Sequence, residues 1–542
     1  MICPILFLEN VLICMWMKNI KEDRKMFEKC AAVGEHIIKY VAMVPLLLIT
    51  VMNLLYQNTI SFDHWEKSTI TNNGGMFFLA LAIGLVCMGL AYILLKKVPE
   101  TLLFVVLALG YVAAGIYLVQ NIEMAVRFDS AYCYWNASNF LQGNYANLQE
   151  GAYFYQYPHQ MGLVLYNTLM VKISENQHFM HYLNLMWTIV GNFCIWRSSV
   201  LLYENKPEIR KMIIFFSFAF LPQLFYLFFI YGVVPGLGMI LIALYCVIHS
   251  VKKDSKIAMA IGIVFIALAC LVRMNYAIAG IAIIILCILR ALKEKKVFYA
   301  VAATCMVLAM LLPRGAVNSY YEKLANTDLS NGMPSVLFVA MGLQENEEDA
   351  RAPGWYNGYN ERIYGENYTN PELMREIAMQ EIKDRLRIFA DNPGYACSFF
   401  KQKLVTTWCE PTYQSVWSGP VISMEGKTEV LQLHDLYSGG GIFQKFAAVM
   451  SVFNTMLFLF SGYLLFKNIL VEKTQMNFLD MYGILFFLGG FLFHFVWETK
   501  SQYVFPYMVC LLPVAAHGLC VLCEDIKNIK TRMQNEKEEG EK

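Results

Sequence analysis

The sequence predicts an all-α polytopic membrane protein, with about 11–13 transmembrane helices and a small, mainly helical extracytoplasmic domain. Three observations predict it. Apolar residues make up 57% of the 542 positions, and the mean hydropathy is +0.44. Charged residues fall to 16%, against roughly 25% in soluble domains, too few to cover a soluble surface. The apolar residues also come in blocks. Segment 101–120, TLLFVVLALGYVAAGIYLVQ, holds no charge and matches the ~20 residues that cross a ~30 Å hydrocarbon core. One such block could be a buried soluble helix, but about ten could not.

The apolar stretch Ile2 to Met17 is followed by Lys18, Lys21, Arg24 and Lys25 without a small-residue cleavage site. An interfacial helix or an early start is therefore expected there, not a signal peptide. Spans are predicted at 38–56, 76–95, 101–120, 179–202, 211–231, 234–250, 257–272, 276–292, 297–313, 443–467, 478–497 and 503–523. Lysines and arginines set their orientation, because short basic loops stay cytoplasmic. Lys96-Lys97, Lys206/Arg210/Lys211, Lys252/Lys253/Lys256, Arg290/Lys293/Lys295/Lys296 and the tail from Lys527 to Lys542 can share one side. Twelve crossings with both termini inside then place 121–178, Arg273-Met274-Asn275, 314–442 and Glu498–Gln502 outside. Segment 159–173 is apolar but short, and reads as a juxtamembrane or re-entrant helix or as a thirteenth span.

These boundaries give N-terminal membrane helices (1–120), a membrane module opened by the outer loop 121–158 (121–313), and an extracytoplasmic domain (314–442). C-terminal membrane helices (443–523) and a charged cytoplasmic tail (524–542) follow. The loop 121–158 is rich in aromatics, among them Tyr132, Tyr134, Trp135, Tyr145, Tyr153, Phe154, Tyr155 and Tyr157. In the outer domain, Asn370-Pro371-Glu372 starts a helix, with Pro in the first turn, and Asp391-Asn392-Pro393-Gly394 stops it.

A net charge of +1 creates no global field for a nucleic acid or an acidic partner. The fifteen cysteines are scattered, several inside spans, and read as small packing residues; no C-x-x-C pair, zinc site or redox site is expected. A charge at a membrane boundary is costly unless used, so acids and bases near span ends are the candidates. Asp129, in Val126-Arg127-Phe128-Asp129-Ser130-Ala131-Tyr132, reads either as a loop acid paired with Arg127 or as a general base facing a membrane-bound substrate.

Asp129, the following Gly143-Asn144-Tyr145 and Tyr157-Pro158-His159-Gln160-Met161-Gly162 together resemble the GT-C superfamily of polyprenyl-phosphate-dependent glycosyltransferases. Its members include the dolichyl-phosphate-mannose protein mannosyltransferases and the bacterial lipid A aminoarabinose transferases. The resemblance covers the layout of most of the chain. It extends to Tyr231-Gly232-Val233-Val234-Pro235-Gly236 at an outer span junction and to the Arg-x-Asn element Leu271-Val272-Arg273-Met274-Asn275. It also takes in Glu498-Thr499-Lys500-Ser501-Gln502-Tyr503-Val504-Phe505-Pro506 before the last span, where Gln502 stands in place of the family's Arg and Lys500 is the alternative cation.

The resemblance implies a many-span bundle with its active site on the outer side, in a multi-pass protein of the cell membrane. A sugar on a polyprenyl phosphate would pass to a glycan, lipid or protein acceptor by direct displacement with inversion. Asp129 would be the base. Arg273, Lys500, Glu498, Tyr503, His159 and Tyr157 would bind substrate, a guanidinium being suited to bidentate phosphate contact. The stretch from Gly342-Leu343-Gln344-Glu345 through Gly354-Trp355-Tyr356-Asn357-Gly358-Tyr359-Asn360 would help shape the acceptor side, or simply pack the domain. No cofactor is implied, the lipid-linked sugar being a substrate, and dependence on a divalent ion stays open. The competing classes are a lipid-linked glycan flippase or transporter, which should show intramembrane charges and repeat symmetry, and a non-catalytic cell-envelope assembly protein.

Overall fold

The computed structural model describes residues 24–62, 66–345, 351–422, 426–471 and 476–540. The apolar stretch Ile2 to Met17 lies outside the described residues. In chain order the helices are α1 (Arg24–Leu55), α2 (Gly75–Leu95), α3 (Glu100–Asn121), α4 (Phe128–Leu141), α5 (Met161–Val171) and α6 (Gln177–Leu202). Next come α7 (Pro207–Ala219), α8 (Val233–Lys253), α9 (Lys256–Val272), α10 (Ala277–Glu294) and α11 (Val297–Ala325). The outer domain holds α12 (Val336–Gly342), α13 (Tyr359–Asn367), α14 (Pro371–Asp391), α15 (Pro393–Trp408) and α16 (Leu431–Tyr437). The chain closes with α17 (Gly441–Val471), α18 (Phe478–Val496) and α19 (Ser501–Gly540).

Among the described residues, ten helices are long and apolar enough to cross a bilayer. A pair bent by 47°, α7 with Pro222–Phe228, makes an eleventh, and the shorter apolar α9 matches a twelfth predicted span. The chain is a helical, multi-pass membrane protein. Helix α5 has 11 residues, about 16 Å of rise, which is too short to cross. The apolar window of α19 is entirely buried and that of α2 only 17% buried, so α19 is a central strut and α2 a lipid-facing one.

Close helix contacts depend on glycine, as expected where lipid supplies no drive to associate and van der Waals packing must. A Cβ on Gly518 of α19 would lie 2.0 Å from the Phe460 carbonyl oxygen of α17, and one on Gly162 of α5 would lie 1.9 Å from that of Leu271 in α9. The second contact brings His159 and Gln160, just before α5, beside Arg273, just after α9.

One end of the bundle carries the basic loops that the sequence assigns to the cytoplasm. They are pinned by Arg210–Glu100 (2.8 Å), Lys295–Glu28 (2.6 Å) and Lys296–Asp254 (3.2 Å). The opposite end, called outer after its predicted side, gathers 121–158, Arg273, the α11–α17 connection and 498–502. Two small antiparallel sheets sit there. Strands β1 (Tyr56–Ile60) and β2 (Ser68–Asn72) form a hairpin after α1, while β3 (Glu123–Met124) pairs with β4 (Gly426–Lys427), tying the first outer loop to the domain.

Four features differ from the sequence expectation. Helix α11 continues through residue 314 to Ala325, so that domain boundary falls inside a helix. Residues 409–421, expected in a soluble domain, are irregular and buried throughout. The segment 524–540 extends α19 as helix. Cys520 and Cys523 stand at C-x-x-C spacing on that helix, and both are free thiols. Helix α14 starts and stops where expected, the Asn370 side chain accepting from the Leu373 amide (3.1 Å), and Asn392 caps the next helix through the Tyr395 amide (3.1 Å).

The lysine and arginine bias yields a direct test of sidedness. In a cysteine-free background, Glu366→Cys on the exposed face of α13 should react with an impermeant thiol reagent in intact cells, and Asp254→Cys between α8 and α9 should not. The reverse pattern would invert the topology.

Candidate functional site

Asp129 lies in the first turn of α4 and is exposed at the outer end. Tyr231 donates to its Oδ2 (3.4 Å), and Tyr153 supplies a second hydroxyl. The pairing with Arg127 that the sequence also allowed is not the arrangement seen. The Arg127 guanidinium binds the carbonyls of Trp417 and Gly419 and lies over the Trp417 ring (4.7 Å). Although Asp129 is exposed to solvent, the protein packed around its carboxyl desolvates it and pushes it above its ordinary range. The Lys500 cation and the tyrosine hydroxyls oppose that shift, and the like charge of Glu361 adds to it.

Tyr231 is the hinge of the site. It precedes Gly232, whose φ of +74° makes the turn into α8 and suits glycine. Gln160 donates to its hydroxyl, and its backbone oxygen accepts from Arg273 Nη1 (2.8 Å). The Arg273 guanidinium lies 4.9 Å from the Tyr231 ring centroid and 5.9 Å from that of Tyr503. One tyrosine therefore separates the acid from the arginine. Arg273, Asn275, Gln502 and Tyr503 line a narrow crevice of about 10 Å3, room for about one water, so the Arg-x-Asn element and the Gln502 position share one wall.

The remaining expected site residues fall into two groups. Tyr157 lies near Asp129 and His159 near Arg273. Tyr157 donates to Glu361 Oε1 (3.0 Å) and packs on Tyr153 (4.9 Å), which stacks on Tyr132 (4.4 Å). Burial, then the charges of Arg314 and Arg273, push the His159 imidazole down to about 4, so it is neutral at neutral pH.

Lys500 and Glu498 are engaged elsewhere. Lys500 Nζ forms an ion pair with Glu66 (2.9 and 3.2 Å), although it remains within 5.7 Å of the Tyr503 ring. Glu498 is buried. Burial raises its carboxyl to about 7 against the opposing charges of Lys500 and Lys403, with Glu66 adding to the rise. Among the described residues, no cluster of three or more His, Cys, Asp or Glu side chains could hold a metal ion.

The buried carboxylate of Glu410 organises the segment 409–421. It accepts from the Thr412 amide (2.8 Å) and hydroxyl (2.5 Å), the Gln414 amide (2.6 Å) and the Ser501 hydroxyl (3.0 Å). Gln414 in turn donates to Glu66 (3.4 Å). Tyr153, Tyr231, Glu66, Glu361 and Glu410 were not singled out as site residues from the sequence. Only Tyr153 and Tyr231 carried a local signal, one in the aromatic run and the other in the Gly/Pro turn.

Comparison with protein-family models, curated proteins and solved structures finds no match. The chemistry must therefore be argued from the site.

Glu410→Ala should leave four donors without their acceptor and destabilise the protein by on the order of 2–3 kcal/mol. Thermal unfolding and hydrogen exchange read this, with faster exchange expected at the Thr412 and Gln414 amides and none in α2. Unchanged protection at those amides would show that other contacts hold the segment.

Proposed function

We propose that the chain is a membrane glycosyltransferase that moves a sugar from a polyprenyl-phosphate donor to an acceptor at its outer end. The observation that carries the reading is the convergence of Asp129 and Arg273 on Tyr231, the first at its hydroxyl and the second at its backbone carbonyl. An acid able to take a proton and a guanidinium able to meet a phosphate stand one side chain apart, on segments distant in sequence.

In the reaction, the acceptor oxygen bonds to the anomeric carbon while Asp129 takes the hydroxyl proton. The bond from that carbon to the donor's phosphate oxygen breaks, and the phosphate leaves with the electron pair. Arg273 stabilises the departing charge, which counts for most in a site of low dielectric where the donor is already in place. Tyr153 and Tyr231 keep the carboxylate aimed. Glu361, joined to Tyr157, stands on the side from which an acceptor held by the outer domain would enter. The bundle contributes orientation of two bulky reactants.

Asp129→Asn keeps the shape and cannot accept the proton. Transfer should fall by about 10²–10⁴-fold while membrane insertion survives, and Glu123→Gln and Glu150→Gln should remain active. The assay follows labelled sugar from a polyprenyl-phosphate donor, with protein level checked in the same membranes. Near wild-type transfer by Asp129→Asn removes the base assignment, and full activity of all three variants brings the transporter reading forward.

The pH profile provides a separate check. The base must be ionised, so the rate falls as pH drops through the Asp129 pKa, which burial sets above the ordinary ~3.9. Glu361→Gln removes a like charge and should move the acid limb down in pH. Lys500→Gln removes an opposing charge and should move it up. A limb that ignores both substitutions belongs to another group.

A further inference from the structure

The cations at the outer end differ in what neutralises them. Lys500 has Glu66 (2.9 Å), and Lys403 has the Gly342 and Trp497 carbonyls (2.6 and 2.9 Å). Arg273 has one carbonyl and two aromatic faces. Among the described residues, Arg314 has neither a hydrogen bond nor an ion pair, and the Asn318 Oδ1 one turn further along α11 is buried without a partner. Both arginines stand at corresponding positions in sequence from the start of their helices. Arg273 comes seventeen residues after Lys256, where α9 begins, and Arg314 seventeen after Val297, where α11 begins. Each is thus about 25 Å along its helix, near the outer edge of a ~30 Å core.

Helices α9 and α11 pack on each other and both pack on α5, and His159, just before α5, feels the charges of both arginines. Two half-buried guanidinium groups without a carboxylate, both acting on a neutral imidazole, concentrate positive charge that an anion would neutralise. We infer that Arg314, Arg273 and His159 form a subsite for the phosphate group of a lipid-linked ligand, with Arg314 and not Lys500 as the second cation. The guanidinium groups supply charge-assisted contacts, and the neutral imidazole supplies an N–H. The inference rests on the donor reading above and adds Arg314 to it.

The test uses the full chain in lipid nanodiscs and measures binding by native mass spectrometry. The ligands are undecaprenyl phosphate, undecaprenol and inorganic phosphate. Wild type should prefer undecaprenyl phosphate to undecaprenol. Arg314→Gln should weaken that binding by roughly tenfold or more, more than Lys500→Gln does, and Arg314→Lys should restore part of it. Arg290→Gln, at the opposite end of the bundle, is the control. Equal melting temperatures without ligand exclude misfolding, and a misfolded Arg314→Gln passes the decision to Arg314→Lys, which must then bind more weakly than wild type.

Wild-type affinity in both Arg314 variants, with Arg273→Gln weakened, overturns the Arg314 assignment and leaves the donor reading standing. Equal binding of undecaprenyl phosphate and undecaprenol by wild type overturns both. Binding of inorganic phosphate alone with the same arginine dependence supports the phosphate subsite and makes its source soluble.

Discussion

The outer end depends on one constraint, that an irregular backbone buried inside a membrane bundle must find all its hydrogen-bond partners within the protein. Segment 409–421 recruits partners from several directions, although the Tyr413, Ser415 and Ser418 hydroxyls stay buried without one. Glu410 gathers the Thr412 and Gln414 amides and the Ser501 hydroxyl at the start of α19. Tyr226 donates to the Tyr413 carbonyl, Asn454 of α17 to that of Pro411 (3.1 Å), and Arg127 to those of Trp417 and Gly419. Each bond that satisfies the segment also fixes a neighbour to it. Asp129 is two residues from Arg127, so its position follows from the need to satisfy two carbonyls.

Charge compensation sorts the residues of the same region. A buried ammonium is costly without partners, and burial pushes Lys403 down to about 7 even with Glu498 opposing the shift. Its bonds to Gly342 and Trp497 join α15 to the turn before α19, which is a structural task. Lys500, held by Glu66, acts on Asp129 through its field. Arg273 differs from both. Its carbonyl and aromatic contacts orient the guanidinium, and cation–π attraction of about 0.5–2 kcal/mol leaves its charge available to an anionic ligand.

The spans were legible because length and hydropathy are local properties, and α14 was legible because its caps are. The hairpin had a local signal too, in the β-branched residues Thr59, Ile60, Thr69, Ile70 and Thr71, but it sits where a plain connector between spans was expected. Nothing local marks 409–421 as buried, since Cys409-Glu410-Pro411-Thr412-Tyr413-Gln414 has ordinary loop composition. At the site, Asp129 and Arg273 could be read from the sequence, while the contacts that use them could not. Tyr231 meets Asp129 across 102 residues, and Glu66 meets Lys500 across 434. A motif at a span end identifies a candidate, and what neutralises or aims it is decided by the fold.

The backbone shows how firmly the acid is held. Phe128, next to Asp129, has φ 55°, and Tyr413 and Gln414 have φ 52° and 55°. Side chains of this size avoid the left-handed region, at about 1–3 kcal/mol each, and persist there only when their surroundings over-determine them. Here the two strained places face each other. The Phe128 ring stacks on Trp417 at 6.0 Å with planes 4° apart, and Arg127 covers the same indole. Trp417 belongs to the segment whose first turn contains Tyr413 and Gln414, and Gln414 reaches the Glu66 that neutralises Lys500. The strain beside the acid and the strain beside the ion pair are therefore supported by one buried segment. A carboxylate held in this way is oriented in advance, which is the condition that the proposed role of general base would require. Asp129 and the Lys500–Glu66 pair belong to a single packed unit.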